Sequence, residues 1–189
     1  IRNTVQYDWL MTISIEYLGL DRYEWYPENW KYIFDRSVEI MGRPEWRDEL
    51  LAQSDIVRVF LTNQYSDDLE GLDTTLYAPC LRTEPFILWM DRPDERENLG
   101  AFLGRSIRTT EDFVSAIDKT FEKFTAHGMG YAAMSIPAGF ETFAVGDQDA
   151  QRLLDRMVAG SALSEGDRRA WGAYAMSRIC DACRKYGKP

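Results

Sequence analysis

Few residues in this chain have chemistry to offer, and most of them sit at the ends of apolar runs. Arg82 follows Leu76-Tyr77-Ala78-Pro79-Cys80-Leu81, and Thr62-Asn63 follow Ile56-Val57-Arg58-Val59-Phe60-Leu61. An arginine at the end of a strand presents a planar, permanently charged fork that can grip a carboxylate in two places. An ion pair with Glu84 or with a loop acid would occupy the same group. Ser66-Asp67-Asp68-Leu69-Glu70 gathers acids that can hold a hard cation or, more simply, mark the start of a helix. The single histidine, His127, precedes a helix-ending glycine, where an imidazole serves as a partner for the helix dipole. One histidine cannot build a histidine-rich metal site, and no H-x-H occurs. Cys180-Asp181-Ala182-Cys183 has the spacing of redox and zinc pairs, but it lies late in an amphipathic stretch with no second pair. Two half-buried helix cysteines are the better reading; a redox role would require an unusually acidic thiol. Gly128-Met129-Gly130 fits neither the dinucleotide-binding nor the P-loop spacing, and no G-x-S-x-G is present.

Strands must position Arg82, Thr62 and Asn63. Continuous apolar runs rich in β-branched and aromatic residues predict strands covered on both faces over 56–61 and 76–81. In parallel α/β folds ligands gather at the carboxyl ends of strands, which makes these three residues the first candidates for binding. A third strand is expected at Tyr131-Ala132-Ala133-Met134-Ser135-Ile136, ending in the loop Pro137-Ala138-Gly139-Phe140. It is entered through a glycine turn from a helix that starts at Thr109-Thr110-Glu111-Asp112 and carries Phe113, Ile117, Phe121 and Phe124 on one stripe. Helices are also expected over 5–19, with Trp9, Leu10, Ile13 and Tyr17 on its face, over 28–41, with Trp30, Ile33, Phe34, Val38 and Met41, and over 45–53. The stretch 20–27 between the first two reads as a loop crowded with aromatics, and 91–97 as a charged, turn-rich surface segment. Two more helices follow, over 147–158 and from Ser164 to Tyr186-Gly187, and Lys185 to Pro189 read as the lead-in to another strand.

At 189 residues the chain is long enough for a sizeable core, and 45% hydrophobic against 28% charged residues is the balance of a globular protein. A net charge of −9 disfavours nucleic-acid and anionic membrane partners. No run approaches the ~18 apolar residues of a membrane span. Three cysteines, one of them within a strand run, argue against a secreted disulfide framework and place the expected location in the cytoplasm. Residues 1–54 read as a helical region and 55–189 as strands with their helices. Three strands make a poor closed sheet, and the chain starts without an initiation sequence and stops where a strand should begin. The expectation is therefore a portion of a longer α/β barrel.

The segment Leu61-Thr62-Asn63-Gln64-Tyr65-Ser66-Asp67-Asp68-Leu69, followed by Tyr77-Ala78-Pro79-Cys80-Leu81-Arg82-Thr83-Glu84-Pro85, resembles the uronate (glucuronate) isomerases. In that family one strand ends in Thr-Thr-Asp-Asp-Pro-x-Asp-x-Leu and a later one in Pro-x-Phe-Arg-Pro-Asp. The start, Arg2-Asn3-Thr4 through Trp9-Leu10, looks like the helical insertion that precedes those strands. The resemblance implies part of a (β/α)8 TIM barrel of the metal-dependent hydrolase type, in the amidohydrolase superfamily. It implies an aldose–ketose isomerase of hexuronic acids such as glucuronate and fructuronate, with Arg82 matching a position that meets the substrate carboxylate and Thr62 and Asn63 beside it. It further implies a divalent metal, often zinc, held in the complete protein by an H-x-H that would lie before Ile1 and by later histidine and aspartate residues. This chain departs from the family at Asn63-Gln64, where an acidic pair stands, and at Met134-Ser135-Ile136-Pro137, where an Asp-His pair is usual. A sugar acid is the expected partner, with self-association possible. The alternative is an inactive α/β module for ligand binding or subunit assembly.

Overall fold

Thr109-Thr110-Glu111-Asp112 does locally what its residue types allow. The Thr109 hydroxyl accepts from the Asp112 N–H at 3.1 Å, and the Asp112 carboxylate accepts from the Thr109 N–H at 3.0 Å. This reciprocal box satisfies donors that a helix start would otherwise leave unpaired. The helix it starts, Thr110–Ala126, buries Phe113, Ile117, Phe121 and Phe124 as the stripe predicts. A computed structural model describes residues 4–189 of the chain; part of the family resemblance, at Arg2 and Asn3, lies outside the described residues. Two compact units result, Ile1–Val57 and Arg58–Pro189.

In the second unit three short stretches form a parallel ladder. β1 (Val59–Phe60) pairs with β2 (Tyr77–Ala78), and β3 (Leu81–Arg82) pairs with β4 (Ala132–Ala133). Asn63 bridges to Leu81 in the same sense, so β2 and β3 act as one strand lying between β1 and β4. The expected strands are shorter in the structure, and Pro79 is one cause. It has no N–H to give and contributes only its carbonyl, which accepts from Gly130 N–H at 3.0 Å. The Ala132 N–H reaches the Pro189 carbonyl at 2.9 Å, which carries the ladder on to the last residue. The described residues do not close a barrel; they form a mostly helical α/β segment.

Five helices accompany this ladder: α4 (Glu84–Leu88), α5 (Pro93–Leu103), α6 (Thr110–Ala126), α7 (Asp147–Val158) and α8 (Glu165–Tyr186). Leu81 from β3, Phe86 from α4, Leu99 from α5, Leu154 from α7 and Tyr174 from α8 join the phenylalanine stripe of α6 in one buried core. Trp171 donates its indole N–H to the Phe86 carbonyl at 3.1 Å, tying α8 to α4. The middle run is buried on both faces as expected, with Ala78, Cys80 and Leu81 fully covered, but the outer run 56–61 is not. Phe60 is 53% exposed, and Ile56 and Val57 are exposed as well. The run 56–61 thus does not form one buried strand; Ile56 still belongs to the preceding helix end, its N–H bonded to the Leu51 carbonyl at 2.9 Å.

The segment expected as a charged surface turn at 91–97 is instead the start of α5. Pro93 stands in the first helical turn with Asp94 and Glu95 beside it, and Gly104 ends the helix in the left-handed region at φ 90°. Those are start and stop signals of a helix. α4 was not expected at all; Pro85 in its first turn both ends the strand and opens the helix. The expected helices over 147–158 and from Ser164 to Tyr186 form as α7 and α8.

The first unit contains α1 (Val5–Glu16), α2 (Trp30–Met41) and α3 (Trp46–Gln53), with two 3-10 turns, Arg22–Glu24 and Pro27–Asn29, between α1 and α2. Its core is small: Leu18, Leu20, Ile33 and Ile40, with Trp25 and Trp46 against them. The expected inner face of α1 is wrong. Trp9 is 71% exposed and Leu10 and Ile13 are exposed too, while Met11 and Ser14 are buried. In α2, Trp30, Phe34, Val38 and Met41 are likewise exposed and only Ile33 of the expected stripe is buried. α1 is apolar over so much of its circumference that periodicity does not single out one inner face, whereas α2 is amphipathic and still leaves most of its apolar stripe exposed.

The box at the start of α6 gives a prediction. The Arg105 guanidinium and the Thr109 hydroxyl, with the N–H groups of Arg108 and Thr109, outweigh the burial of Asp112 and hold its carboxyl down at about 2. A depressed acid stabilises the fold fully above the unfolded value, near pH ~4, and loses that contribution as pH falls through about 2. Asp112→Asn should therefore cost on the order of 2 kcal/mol at pH 7 and very little near pH ~2. Thr109→Ala should cost about 1 kcal/mol. Urea unfolding of both variants across this pH range checks the pair.

Candidate functional site

Because the strands are parallel, their carboxyl ends share one edge, and the expected binding residues can be placed along it. Pairing in register puts neighbouring side chains on the same face of the sheet, and successive residues alternate. Asn63 lies opposite Leu81, which faces the helices, so Thr62 shares the other face with Cys80 and Arg82. That second face also carries Phe60 and Tyr131, their ring centres 5.5 Å apart. A side chain on Gly130 would meet the Phe60 ring at 2.9 Å and the Cys80 sulfur at 3.1 Å, which explains the glycine at the entry to β4. Thr62 and Arg82 are thus brought to one face and Asn63 to the opposite one. Asn63 gives its amide Nδ2 to Asp67 Oδ2 at 3.2 Å, while its Oδ1 is buried without a donor among the described residues.

Arg82 is held by Glu84. Its Nη2 lies 3.0 Å from Glu84 Oε1 and its Nε 3.5 Å from Oε2. The Glu84 side chain is only 6% exposed, whereas that of Arg82 is 36% exposed. Ser135 donates its N–H to the same Oε1 at 3.1 Å, so one carboxylate joins the ends of β3 and β4. Burial pushes the Glu84 carboxyl up, but the bonds from Arg82, from its own N–H and from Ser135 outweigh it and hold it below the usual range. The same pairing raises Arg82 further above its ordinary value. Beside them the buried Thr83 donates its hydroxyl to the Ala133 carbonyl at 3.1 Å. Of the two uses foreseen for Arg82, the pair with Glu84 is made, and it leaves part of the fork open: a guanidinium has five N–H donors, and Glu84 takes two. Ser135 is the residue that sequence reasoning missed. Its contribution is a backbone N–H, which no side-chain pattern announces.

The remaining candidates are structural. Asp67 accepts from the Gln64 N–H and Asp68 from the Glu70 N–H, at 3.0 Å each, while Glu70 Oε1 lies 3.3 Å from His127 Nε2. These acids diverge into separate turns. Among the described residues no group of three or more His, Cys, Asp or Glu side chains could hold a metal ion. The metal implied by the family resemblance therefore has no fitted site among these residues. His127 Nδ1 lies 2.8 Å from the Lys123 carbonyl at the end of α6; that contact raises the imidazole's pKa, as does Glu70. Cys80, Cys180 and Cys183 are free thiols. Burial, with Cys180 adding to it, pushes the Cys183 thiol up, opposite to what a reactive redox cysteine needs. No helix among the described residues is long and apolar enough to cross a membrane.

The backbone has known counterparts. Over 99% of its length the chain superposes on the crystal structure of uronate isomerase from Thermotoga maritima, with a TM-score of 0.81 and 15% sequence identity. It superposes over 99% of its length on glucuronate isomerase from Caulobacter crescentus, with a TM-score of 0.82 and again 15% identity. It spans less than half of either protein, 43% of the first and 40% of the second. No protein-family model and no curated protein matches the sequence. At this identity the likeness establishes the fold: the chain has the architecture of a segment of these isomerases.

The pair at the strand ends has a testable polarity. In the native protein the Glu84 contribution is present above the ordinary carboxylate range and lost as pH falls through its depressed value. Arg82→Ala removes the strongest bond that holds the carboxyl down and leaves its burial in place. The loss of stability on the acid side should shrink in this variant, while stability at neutral pH falls. Thermal midpoints of both proteins between pH ~3 and ~7 measure it; parallel curves would contradict the pairing.

Proposed function

We propose that the chain is the central part of a uronate-isomerase-like protein that interconverts aldose and ketose hexuronic acids of the glucuronate and fructuronate type. The observation that carries this reading is the superposition of 99% of the chain on two such isomerases. The strand edge supplies a matching chemistry. A hexuronic acid carries a carboxylate at one end, and the open side of the Arg82 fork suits it. Glu84 fixes the guanidinium plane, so little orientational freedom is lost when a substrate docks. Thr62, on the same face, offers a hydroxyl for a sugar oxygen, while Asn63, on the opposite face, braces the Asp67 turn behind it. The reaction class is proton transfer between neighbouring carbons through an enediol-like intermediate. Zinc or another divalent ion would polarise the carbonyl in the complete protein. Within this chain the assigned work is binding and orientation, and no residue is assigned as the proton carrier.

A second reading, an inactive module for ligand binding or subunit assembly, is favoured by one observation. Trp9, Tyr23, Trp30 and Phe34 of the first unit are all exposed, an unusual concentration of large apolar side chains. Self-association would cover them, so light scattering of the natural full-length protein should return an oligomer. Trp9→Ser should lower its order, whereas a monomer at every concentration would remove the assembly reading.

The isomerase reading is tested by supplying hexuronates to the natural full-length protein and following ketose formation with a ketose-specific reagent. Turnover is expected. Arg82→Lys, which keeps the charge but loses the fork, should reduce kcat/KM roughly 10- to 100-fold, mostly through KM. Absence of turnover with every hexuronate would sink it.

A further inference from the structure

The loop that leaves β1 and returns to β2, residues 64–76, is fastened to the carboxyl end of α6 at several points. Lys123 donates its ammonium to the Tyr65 and Asp67 carbonyls. One turn later His127 lies between the two elements: its Nδ1 is 2.8 Å from the Lys123 carbonyl and its Nε2 is 3.3 Å from Glu70 Oε1. Thr74 stands close to Gly128, where a β-carbon would meet it at 3.8 Å. The second half of the loop therefore packs against the helix end.

Both groups that His127 faces are acceptors, a main-chain carbonyl and a carboxylate. A neutral imidazole carries one N–H and must turn a lone pair toward one of them; only the doubly protonated ring satisfies both. The other charges around it come from three elements. Lys123 lies on its own helix, Asp67 and Asp68 on the loop act on Lys123, and Lys188 near the last residue bonds the Met129 carbonyl at 2.9 Å. Histidine is the one side-chain type among these that titrates near neutral pH.

We propose that His127 is a pH-operated latch: as imidazolium it bridges the end of α6 to Glu70 and holds residues 70–75 down, and as neutral imidazole it releases them. Lys123 keeps the first half of the loop in place in both states, with Tyr65 and Leu69 buried in the core. The movement is thus confined to the second half. The sign follows from the contacts. The Lys123 carbonyl first, and Glu70 with it, raise the imidazole's pKa against slight burial and the Lys123 ammonium. The latch is therefore closed below the ordinary imidazole value near ~6.5 and opens as pH rises through the raised one. It does not depend on the isomerase reading.

The test follows the natural full-length protein by NMR and by amide hydrogen exchange between pH ~5 and ~8. The imidazole signal lost in His127→Gln identifies the residue. His127 should titrate above a free imidazole, and Glu70→Gln should move it back toward the free value. Protection of the amides of residues 70–75, taken relative to the intrinsic rate at each pH, should fall on the order of threefold as His127 deprotonates, the scale of an exposed ion pair. In Glu70→Gln that fall should disappear, while protection within α6 stays as it is. A His127 that titrates at or below the free value would overturn the assignment. So would protection of 70–75 that ignores the charge of His127 or falls equally in Glu70→Gln. Glu70 would then be a solvated charge beside a histidine that only caps its helix.

Discussion

The carboxyl edge of this sheet depends on a carboxylate that has been taken almost out of water. Glu84 sits at the junction of β3 and α4, and a charge in that position is costly unless donors surround it. The chain surrounds it with the Arg82 guanidinium, the Ser135 N–H and its own N–H. Each donor comes from a different local element, so satisfying the charge also sets their geometry. The end of β3 is tied to the segment after β4, and the arginine cannot swing freely into solvent. Thr83, whose hydroxyl bonds the Ala133 carbonyl, reinforces the same junction from inside the core. Pro85, next in the chain, cannot continue the ladder and starts a helix instead. Four consecutive residues, Arg82 to Pro85, thus end the strand, bridge to its neighbour, orient a cation and open a helix.

The surplus of acids has a related explanation. Asp67, Asp68, Asp112 and Asp167 each accept backbone N–H groups at turns or helix starts. Short carboxylates at such positions replace donors' lost water and oppose the positive end of the helix dipole. Having been distributed to separate turns, they do not converge. Part of the negative charge of the chain thus serves how its turns and helices begin, and among the described residues no group of acids gathers to hold a metal.

How much of this was legible in the sequence depended on whether the signal was local. α6 carries both a capping box and a clear apolar stripe, α7 a stripe, and α8 a capping box with a glycine stop, and the structure has all three where the sequence places them. The parallel character of the sheet followed from a helix and glycine turn leading into the Tyr131 run. The inner face of α1 was not legible, because apolar residues surround the helix and tertiary packing made the choice. α5 was misread because Pro93 with four nearby acids resembles a turn until the later glycine stop is weighed with it. At the edge, Arg82 and the possible pair with Glu84 were readable from their spacing of two residues. The sides taken by Thr62 and Asn63 were not, since a single step of register exchanges the faces of a strand. Ser135 joins Glu84 across 51 positions through its main chain, and such a contact leaves no mark in residue type.

The arginines of this protein divide into two kinds, and the division bears on what each can recognise. Arg82 is paired, so much of its charge is already compensated and its long-range attraction is weak. What it retains is a fixed plane with unused N–H groups, which favours a planar acceptor that arrives in the right orientation. Arg108 is the reverse: uncompensated charge on a side chain with no fixed direction, which attracts anions broadly and selects among them poorly. Arg96 is fixed by two carbonyls, with the carboxylates of Asp91, Glu97 and Asp94 also acting on it. Geometry without much charge suits discrimination among carboxylates of similar size, as a sugar-acid subsite requires. The neighbours of an arginine, a buried glutamate at Arg82 and backbone carbonyls at Arg96, decide which of its N–H groups are left available.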